Sequence, residues 1–439
     1  MKPATATDAP VGRRAVIEAV IASTVGTTIE WYDFFLYGVM AALVFPALFF
    51  PKVDPFVGEI LSFLTFTAGF VSRPLGGVVF GYLGDRVGRK STLVSTLLLM
   101  GLSTVAIGLL PTADTIGVAA PLLLTSLRFV QGLGVGGEWG GAVLLALEYG
   151  HRGKRGFYAS WPQAGVPLGL LTSAGVVAFF QSWLSPSDFL AWGWRVPFLL
   201  SGLLIVVGLL IRVRILETPL FRQLQKMEQV AHSPVSETLR RHGREVLLAA
   251  GLRISESSCF YLFGIYILAY DKDVLHVEEG LILWAVKLAA ALEVFTIPLW
   301  GILSDHWSRK GVYVLGNLLL IGFAVPYYWL LDTRQPVAIV SAVVFSLAVG
   351  QAMLYSVQAS LIPELFGTRL RYTGASIGYQ LASPLSGGSA PLIATWLTHT
   401  FPEQSWLLAI YIIGVCIISL ICVHFLAETS RKDLTAASD

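Results

Sequence analysis

Twelve stretches of this chain, near residues 16-48, 57-83, 91-110, 116-147, 157-184, 193-214, 246-271, 279-303, 311-331, 336-362, 373-399 and 405-426, are apolar over lengths that can cross a bilayer. A helix needs about 20 residues to do so. Only 13% of the 439 residues are charged, about half the share found in a soluble domain. The expected class is therefore an all-α membrane protein with twelve transmembrane helices. The first run follows Arg13 and Arg14 without a small-residue cleavage signal and is expected to remain as a span.

The polar connections repeat. The turn between the second and third runs reads Gly81-Tyr82-Leu83-Gly84-Asp85-Arg86-Val87-Gly88-Arg89-Lys90, and 220 residues later Gly301-Ile302-Leu303-Ser304-Asp305-His306-Trp307-Ser308-Arg309-Lys310 occupies the matching place. Glu148 is followed seven positions later by Arg155, and Glu364 seven later by Arg371, an offset of 216 for both members. Glu217-Thr218 and Glu428-Thr429 form a third echo after the sixth and twelfth runs. Echoes near half the chain length imply two copies of one six-helix unit, the organisation of transporters built from internal repeats. The units are expected at 1-215 and 246-439, joined by the polar stretch 216-245 with Arg222, Lys226, Arg240, Arg241 and Arg244.

Lys and Arg set the orientation. Alternate connections on one side hold 22 of them, against Lys52, Arg195, Lys272 and Arg334 on the other. Both termini and the central stretch are thus expected in the cytoplasm, and the protein in the cell inner membrane. The basic clusters read as topology signals and give no support to a nucleic-acid role; the bilayer itself is the expected partner.

The first turn fits G-x-L-x-D-R-x-G-R-[RK] throughout and resembles the loop between the second and third spans of the major facilitator superfamily; the second copy departs at His306 and Ser308. Five further motifs resemble the metabolite:proton symporter family within it: Glu30-Trp31-Tyr32-Asp33-Phe34, Arg73-Pro74-Leu75-Gly76, Arg128-x-x-Gln131-Gly132 running into Gly136-Gly137-Glu138-Trp139-Gly140-Gly141, Gly193-Trp194-Arg195-Val196-Pro197-Phe198, and Arg371-Tyr372-Thr373-Gly374-Ala375. The resemblance runs from about residue 17 to 428. It implies proton-coupled uptake of a small polar metabolite, such as shikimate, 2-oxoglutarate, citrate, a dicarboxylate, proline or betaine.

Arg73, Arg128, Arg253 and Lys287 are left inside the runs, with Glu30, Asp33, Glu138, Glu256 and Glu293 to pair them. A charge at mid-membrane costs roughly 2.5 to 3.5 kcal/mol on insertion scales, so these side chains must face the bundle interior. Glu30 and Asp33 share one helix face. Desolvation and mutual repulsion disfavour their doubly ionised form, which suits a proton site; the alternative is a pair of ion-paired anchors near a helix end. Arg128 can fork a carboxylate, and the resemblance gives it a coupling role, with Glu138 a further coupling acid and Gln131 beside it in the lining. The glycines Gly132, Gly134, Gly136 and Gly137 serve close helix packing. Arg253 is the expected carboxylate receptor of the second half, held by Glu256 when empty, unless the two form a permanent ion pair. Lys287 and Glu293 do not face each other. Tyr32, Trp161, Gln163, Tyr379 and Gln380 complete the expected lining, although aromatic packing is the commoner use of such residues. Asp85, Arg86, Arg89, Glu148 and Arg155, mirrored by Asp305, Arg309, Glu364 and Arg371, are expected to be gate latches, or static loop anchors, with the second latch the weaker because of His306 and Ser308.

Rival classes find little. The seven histidines are scattered without ligand spacing, and no nucleotide-binding loop appears. Cys259, Cys416 and Cys422 lie in apolar runs and read as small core residues. An enzyme or a channel is therefore not expected, nor a metal or other cofactor; the coupling ion is the proton. The reading is a monomeric proton-coupled symporter of a small organic acid, working by alternating access. The alternatives are uptake of a zwitterionic osmolyte or an uncoupled facilitator. The short tail after Glu428, which lacks a heptad-bearing extension, leans against the osmolyte.

Overall fold

The computed structural model describes residues 12–432 apart from 152, 215–216, 279 and 402–403. The expected unit boundary at 215–216, the basic residues Lys2 and Arg152, and the tail from 433 lie outside the described residues. Every regular element described is helical. In chain order the long helices are α1 (Arg13–Leu43), α2 (Pro55–Arg86), α3 (Arg89–Leu109), α4 (Ala119–Tyr149), α5 (Arg155–Trp183), α6 (Arg195–Arg214), α7 (Gly243–Tyr270), α8 (Leu281–His306), α9 (Arg309–Asp332) and α10 (Pro336–Glu364). Then come α11, in two pieces at Arg371–Leu381 and Ala390–Thr400, and α12 (Trp406–His424).

Among the described residues nine helices are long and apolar enough to cross a membrane. The others differ for a physical reason: α1 and α4 have 31 residues each, but their interiors carry Glu30 and Asp33, and Arg128 and Glu138. In α11, turns interrupt the helix across 382–389. Between 217 and 242 lie two short helices, Pro219–Lys226 and Pro234–Arg241.

The two copies of the repeated turn show why one position tolerated change. Gly88 has φ +135°, a backbone that side chains rarely adopt. Ser308, its counterpart, is extended, and its hydroxyl accepts from the Gly311 N–H at 2.9 Å to cap α9. The departure from glycine replaces a strained turn by a capped one. At the opposite end of the bundle, Arg195 donates to the last carbonyls of α3, Gly108 at 3.0 Å and Leu110 at 2.6 Å.

Packing follows the small residues. α2 lies along α4 and α1 along α5, while early and late helices meet at α5 with α8 and at α2 with α11. Gly156 of α5 and Gly301 of α8 are so close that a Cβ on either would stand 2.7 Å from the other's carbonyl oxygen. A Cβ on Gly136 would strike the Arg73 carbonyl, so the glycine run of α4 is what brings α2 against it. Turns of π-helix interrupt α7 at Leu262–Tyr266 and α10 at Phe345–Gln351, a device that often accompanies functional residues.

Candidate functional site

Charged and aromatic groups from α1, α2, α4, α6, α7, α10 and α11 meet in the interior. On α1, Glu30 and Asp33 are both buried. Asp33 accepts a hydrogen bond from Ser201 of α6 and lies within electrostatic reach of Arg128. Glu30 makes no hydrogen bond or ion pair among the described residues, and its charged neighbours are Glu138, Arg73, Arg212 and Asp33.

Arg128 differs from its expectation. No carboxylate stands within ion-pair distance among the described residues; instead Nη1 donates to Gln131 Oε1 at 3.1 Å, and Gln131 donates to Thr104 at 2.6 Å. The guanidinium sits over the rings of Phe34, Tyr37 and Phe66 at 4.4, 4.3 and 4.6 Å. The aromatic faces supply part of the stabilisation that a counter-ion would. Arg73 has a comparable seat over Phe34, Phe70 and Trp31.

Glu138 acquires a partner that sequence reasoning missed. Arg212 of α6, near the end of the sixth run and not among the interior charges expected there, is buried and pairs with Glu138, which also accepts from Thr96 at 2.6 Å. The apolar periodicity of the sixth run continues past Arg212, and that was the available signal.

In the second half, Arg253 and Glu256 form an ion pair. Gln351, from the π-helical turn of α10, donates to Glu256 at 2.8 Å. The Arg253 guanidinium lies 4.0 Å from the Tyr379 ring centroid, and Tyr379 stacks on Trp139 of α4 at 3.5 Å with 7° between the planes. Trp139 donates to Gln163 at 2.9 Å, Gln163 to the Tyr355 carbonyl at 2.9 Å, and Gln380 to the Val135 carbonyl at 3.4 Å. Gln163, Tyr379 and Gln380 thus join the two halves of the chain across the interior.

Three expected lining residues lie elsewhere. Tyr32 donates to the Pro197 carbonyl at 2.8 Å and packs among Tyr37, Phe45 and Phe198. Trp161 packs beside Tyr158 against Val16, Val20 and Ala146. Lys287 is half-buried on α8 without an ion pair among the described residues. On the same helix Glu293 is 3% exposed and its Oε1 has no hydrogen-bond partner among the described residues.

Both repeated turns close on the helix starts across from them. Asp85, at the end of α2, accepts from the backbone N–H groups of Tyr372 at 3.2 Å and Thr373 at 2.8 Å in the first turn of α11. Asp305, at the end of α8, accepts from Gly156 and Phe157 in the first turn of α5, both at 2.8 Å. A carboxylate at a helix N-terminus is favoured by the orphan N–H groups and by the helix dipole. Arg89 stands 3.3 Å from Asp85 and 3.7 Å from Glu148, which Arg371 approaches at 3.2 Å. Arg309 stands 2.8 Å from Asp305 and 3.4 Å from Glu364. Arg155 donates to the Lys432 carbonyl at 2.8 Å. His306 and Ser308 leave the second cluster with contacts as short as the first. Arg86 alone stands apart, exposed beside the Tyr82 ring.

The third echo also has a place. Glu217 accepts from the Lys90 N–H at the start of α3, and Glu428 from the Arg309 and Lys310 N–H groups at the start of α9, both at 3.1 Å. Burial would raise the Glu428 carboxyl, but hydrogen bonds from Ser308 and from the N–H groups of Ser430, Lys310 and Arg309 hold it at about 2. This tie persists at physiological pH and loosens only in strong acid.

The Major Facilitator Superfamily model matches residues 34–391 and 282–438. The chain is 38% identical over 422 residues to the inner membrane metabolite transport protein YhjE of Escherichia coli K12, covering 95% of each chain. It is 39% identical over 415 residues to the shikimate transporter of the same organism, covering 94% and 95%. To the proline/betaine transporter of Salmonella typhimurium it is 34% identical over 433 residues, covering 96% of this chain and 85% of that one. In structure it resembles the proton:xylose symporter XylE bound to 6-bromo-6-deoxy-D-glucose, with a TM-score of 0.75, 16% identity, and 96% and 98% of the two chains covered. With an interior of buried charges closed at one end by paired helix caps, and with these relatives along nearly its whole length, the chain belongs to the Major Facilitator Superfamily and is a membrane transporter, not an enzyme.

Proposed function

We propose that this transporter is a proton-coupled symporter that takes up a small organic acid by alternating access. Twelve spans form two six-helix halves, 1-215 and 246-439, joined by 216-245, in an inner membrane with both termini cytoplasmic. The observation that carries the reading is the interior itself, where Glu30 and Asp33 stand near Arg73 and Arg128 while the motif-bearing end is held shut. Glu30 and Asp33 share the coupling proton, with Glu138 bound to Arg212 in a supporting place. Arg128, Gln131, Arg253, Glu256, Gln163, Tyr379 and Gln380 face the substrate path. The protein works as a monomer and needs no cofactor beyond the proton.

The names of the relatives support a carboxylate as the recognised group, since shikimate, proline and betaine each carry one. They also supply the second reading, a zwitterion. Reconstituted vesicles with an inward proton gradient, offered shikimate, 2-oxoglutarate, proline and betaine, separate the two. The expected result is accumulation of an acid that a protonophore abolishes. Uptake indifferent to the protonophore would make the protein an uncoupled facilitator.

Orientation has its own test. Lys154, Ser233 and Asp54 are exposed, whereas Thr368 is 7% exposed beneath Arg89 and Arg371 and is unsuited to labelling. Single cysteines at Lys154 and Ser233 are expected to react with an impermeant thiol reagent only from the cytoplasm, and one at Asp54 only from outside. Labelling of position 233 from outside would invert the topology.

A further inference from the structure

We propose that Arg73 receives the carboxylate of the transported acid. The inference rests on the organic-acid reading above and names the residue on which it turns.

Arg73 lies within α2, 2% exposed. Its guanidinium carbon is 4.4 Å from the Phe34 ring centroid, 4.5 Å from that of Phe70 and 5.5 Å from that of Trp31. Among the described residues Nε and Nη2 have no hydrogen-bond partner and no carboxylate lies within ion-pair distance, although the Tyr261 hydroxyl stands close enough to the guanidinium to interact with it. A guanidinium held by its faces against rings keeps its in-plane N–H fork available, and that fork matches a carboxylate in two parallel hydrogen bonds. Leaving buried charged donors unpaired is costly, so a site that does so is built for a visitor.

The other interior arginines each have a partner, although Arg128 leaves Nε and Nη2 unpaired and Arg253 leaves Nε unpaired among the described residues. Arg212 is held by Glu138 and by the Leu93 carbonyl, and Arg253 by Glu256 and the Tyr379 ring. Arg128 commits Nη1 to Gln131 and has Asp33 as its nearby acid. Its guanidinium carbon also lies 4.4 Å from the Phe34 centroid, so a substrate anchored on Arg73 presents its remaining polar groups toward Arg128.

Arg73 has Tyr261, Arg253, Glu30 and Tyr379 as electrostatic neighbours, and Glu30 is the acid among them. Glu30 makes no hydrogen bond or ion pair among the described residues, so nothing in its immediate contacts fixes its ionised form. Arg73, Arg128, Arg212 and Arg253 balance Glu30, Asp33, Glu138 and Glu256 when all are ionised. An incoming carboxylate adds one negative charge, and one proton on the Glu30 and Asp33 pair removes one. The interior is then as neutral when loaded with both as when empty, whereas either partner alone leaves an uncompensated charge in low dielectric.

The test measures binding of shikimate, 2-oxoglutarate, proline and betaine to the full purified chain, and of the matching carboxamide for whichever compound binds. Wild type is expected to prefer the carboxylate. Arg73→Gln should weaken carboxylate binding about tenfold to a hundredfold and erase the preference over the carboxamide. Arg73→Lys should fall between the two, because an ammonium keeps the charge but not the fork. A purely structural role for Arg73 would leave the preference untouched in the folded fraction. Unchanged affinity and preference in Arg73→Gln, shown to be folded by its melting curve, would overturn the assignment. If the Gln variant does not fold, unchanged affinity and preference in Arg73→Lys overturns it equally. Failure of the wild type to prefer any of the four carboxylates would remove the organic-acid reading itself, and this inference with it. The two failures are distinct, because the second appears in unmodified protein.

Discussion

Replacing Asp33 by Asn is expected to abolish accumulation while leaving exchange intact. Each unit of pH gradient supplies about 1.4 kcal/mol per proton, close to a tenfold concentration ratio. With one proton per monoanion, an inward gradient of about two units drives roughly hundredfold accumulation in the wild type, and Asp33→Asn should reach no more than equality across the membrane. The structure explains why exchange survives. Asn keeps an oxygen that accepts from Ser201, and Arg128 retains its seat among Phe34, Tyr37 and Phe66. Loss of the Asp33 charge leaves Arg128 less compensated, which favours an incoming anion rather than excluding it. The variant should therefore bind substrate with little dependence on pH and perform counterflow. Glu30→Gln should show a milder defect of the same kind if the two acids share the proton. The measurement is pH-driven accumulation beside counterflow in the same vesicles. Normal accumulation by Asp33→Asn would move the proton site to Glu30.

Asp85→Asn and Asp305→Asn are expected to open the end of the bundle that carries the repeated turns. Each aspartate caps a helix from the other half of the chain and faces a buried arginine. Removing one partner of a buried ion pair costs about 3 to 5 kcal/mol. The pair itself is local to its turn, but where the cap on the other half and the burial of the arginine exist only in the closed arrangement, the closed state alone bears that cost, and the open population rises by about a hundredfold or more. A cysteine at Ser376, fully buried on α11, reports the opening. Its reaction with an impermeant reagent from that side should accelerate by the same factor, and the double variant should gain further. An unchanged labelling rate in both single variants would make the clusters static anchors. Similar effects at Asp85 and Asp305 would show the two latches to be of like strength, as their geometry suggests, despite His306 and Ser308.

The amino-acid sequence alone determined the membrane class, the internal repetition and the composition of both charge clusters. These depend on quantities local to the chain. A run of apolar residues is costly in water wherever it lies, and an acid four residues from an arginine across a two-residue turn between helices stays within reach of it wherever that turn forms. Asp85 with Arg89 and Asp305 with Arg309 were therefore legible, as was the need for the interior charges to avoid lipid.

Which charge meets which was decided only by the tertiary structure. Arg128 was expected to hold a carboxylate and instead holds Gln131 amid three rings. Glu138 was left among the coupling acids, and Arg212, not counted among the interior charges, reaches it from another helix. Tyr32 sits beside Asp33 in sequence but bonds to α6. Each of these outcomes depends on the rotation and approach of helices far apart in the chain, which glycines such as Gly136 permit and which the packing of the whole bundle sets. A rotation of one residue, about 100° on a helix, exchanges a side chain's interior neighbours for lipid, and no local pattern of residues records that choice.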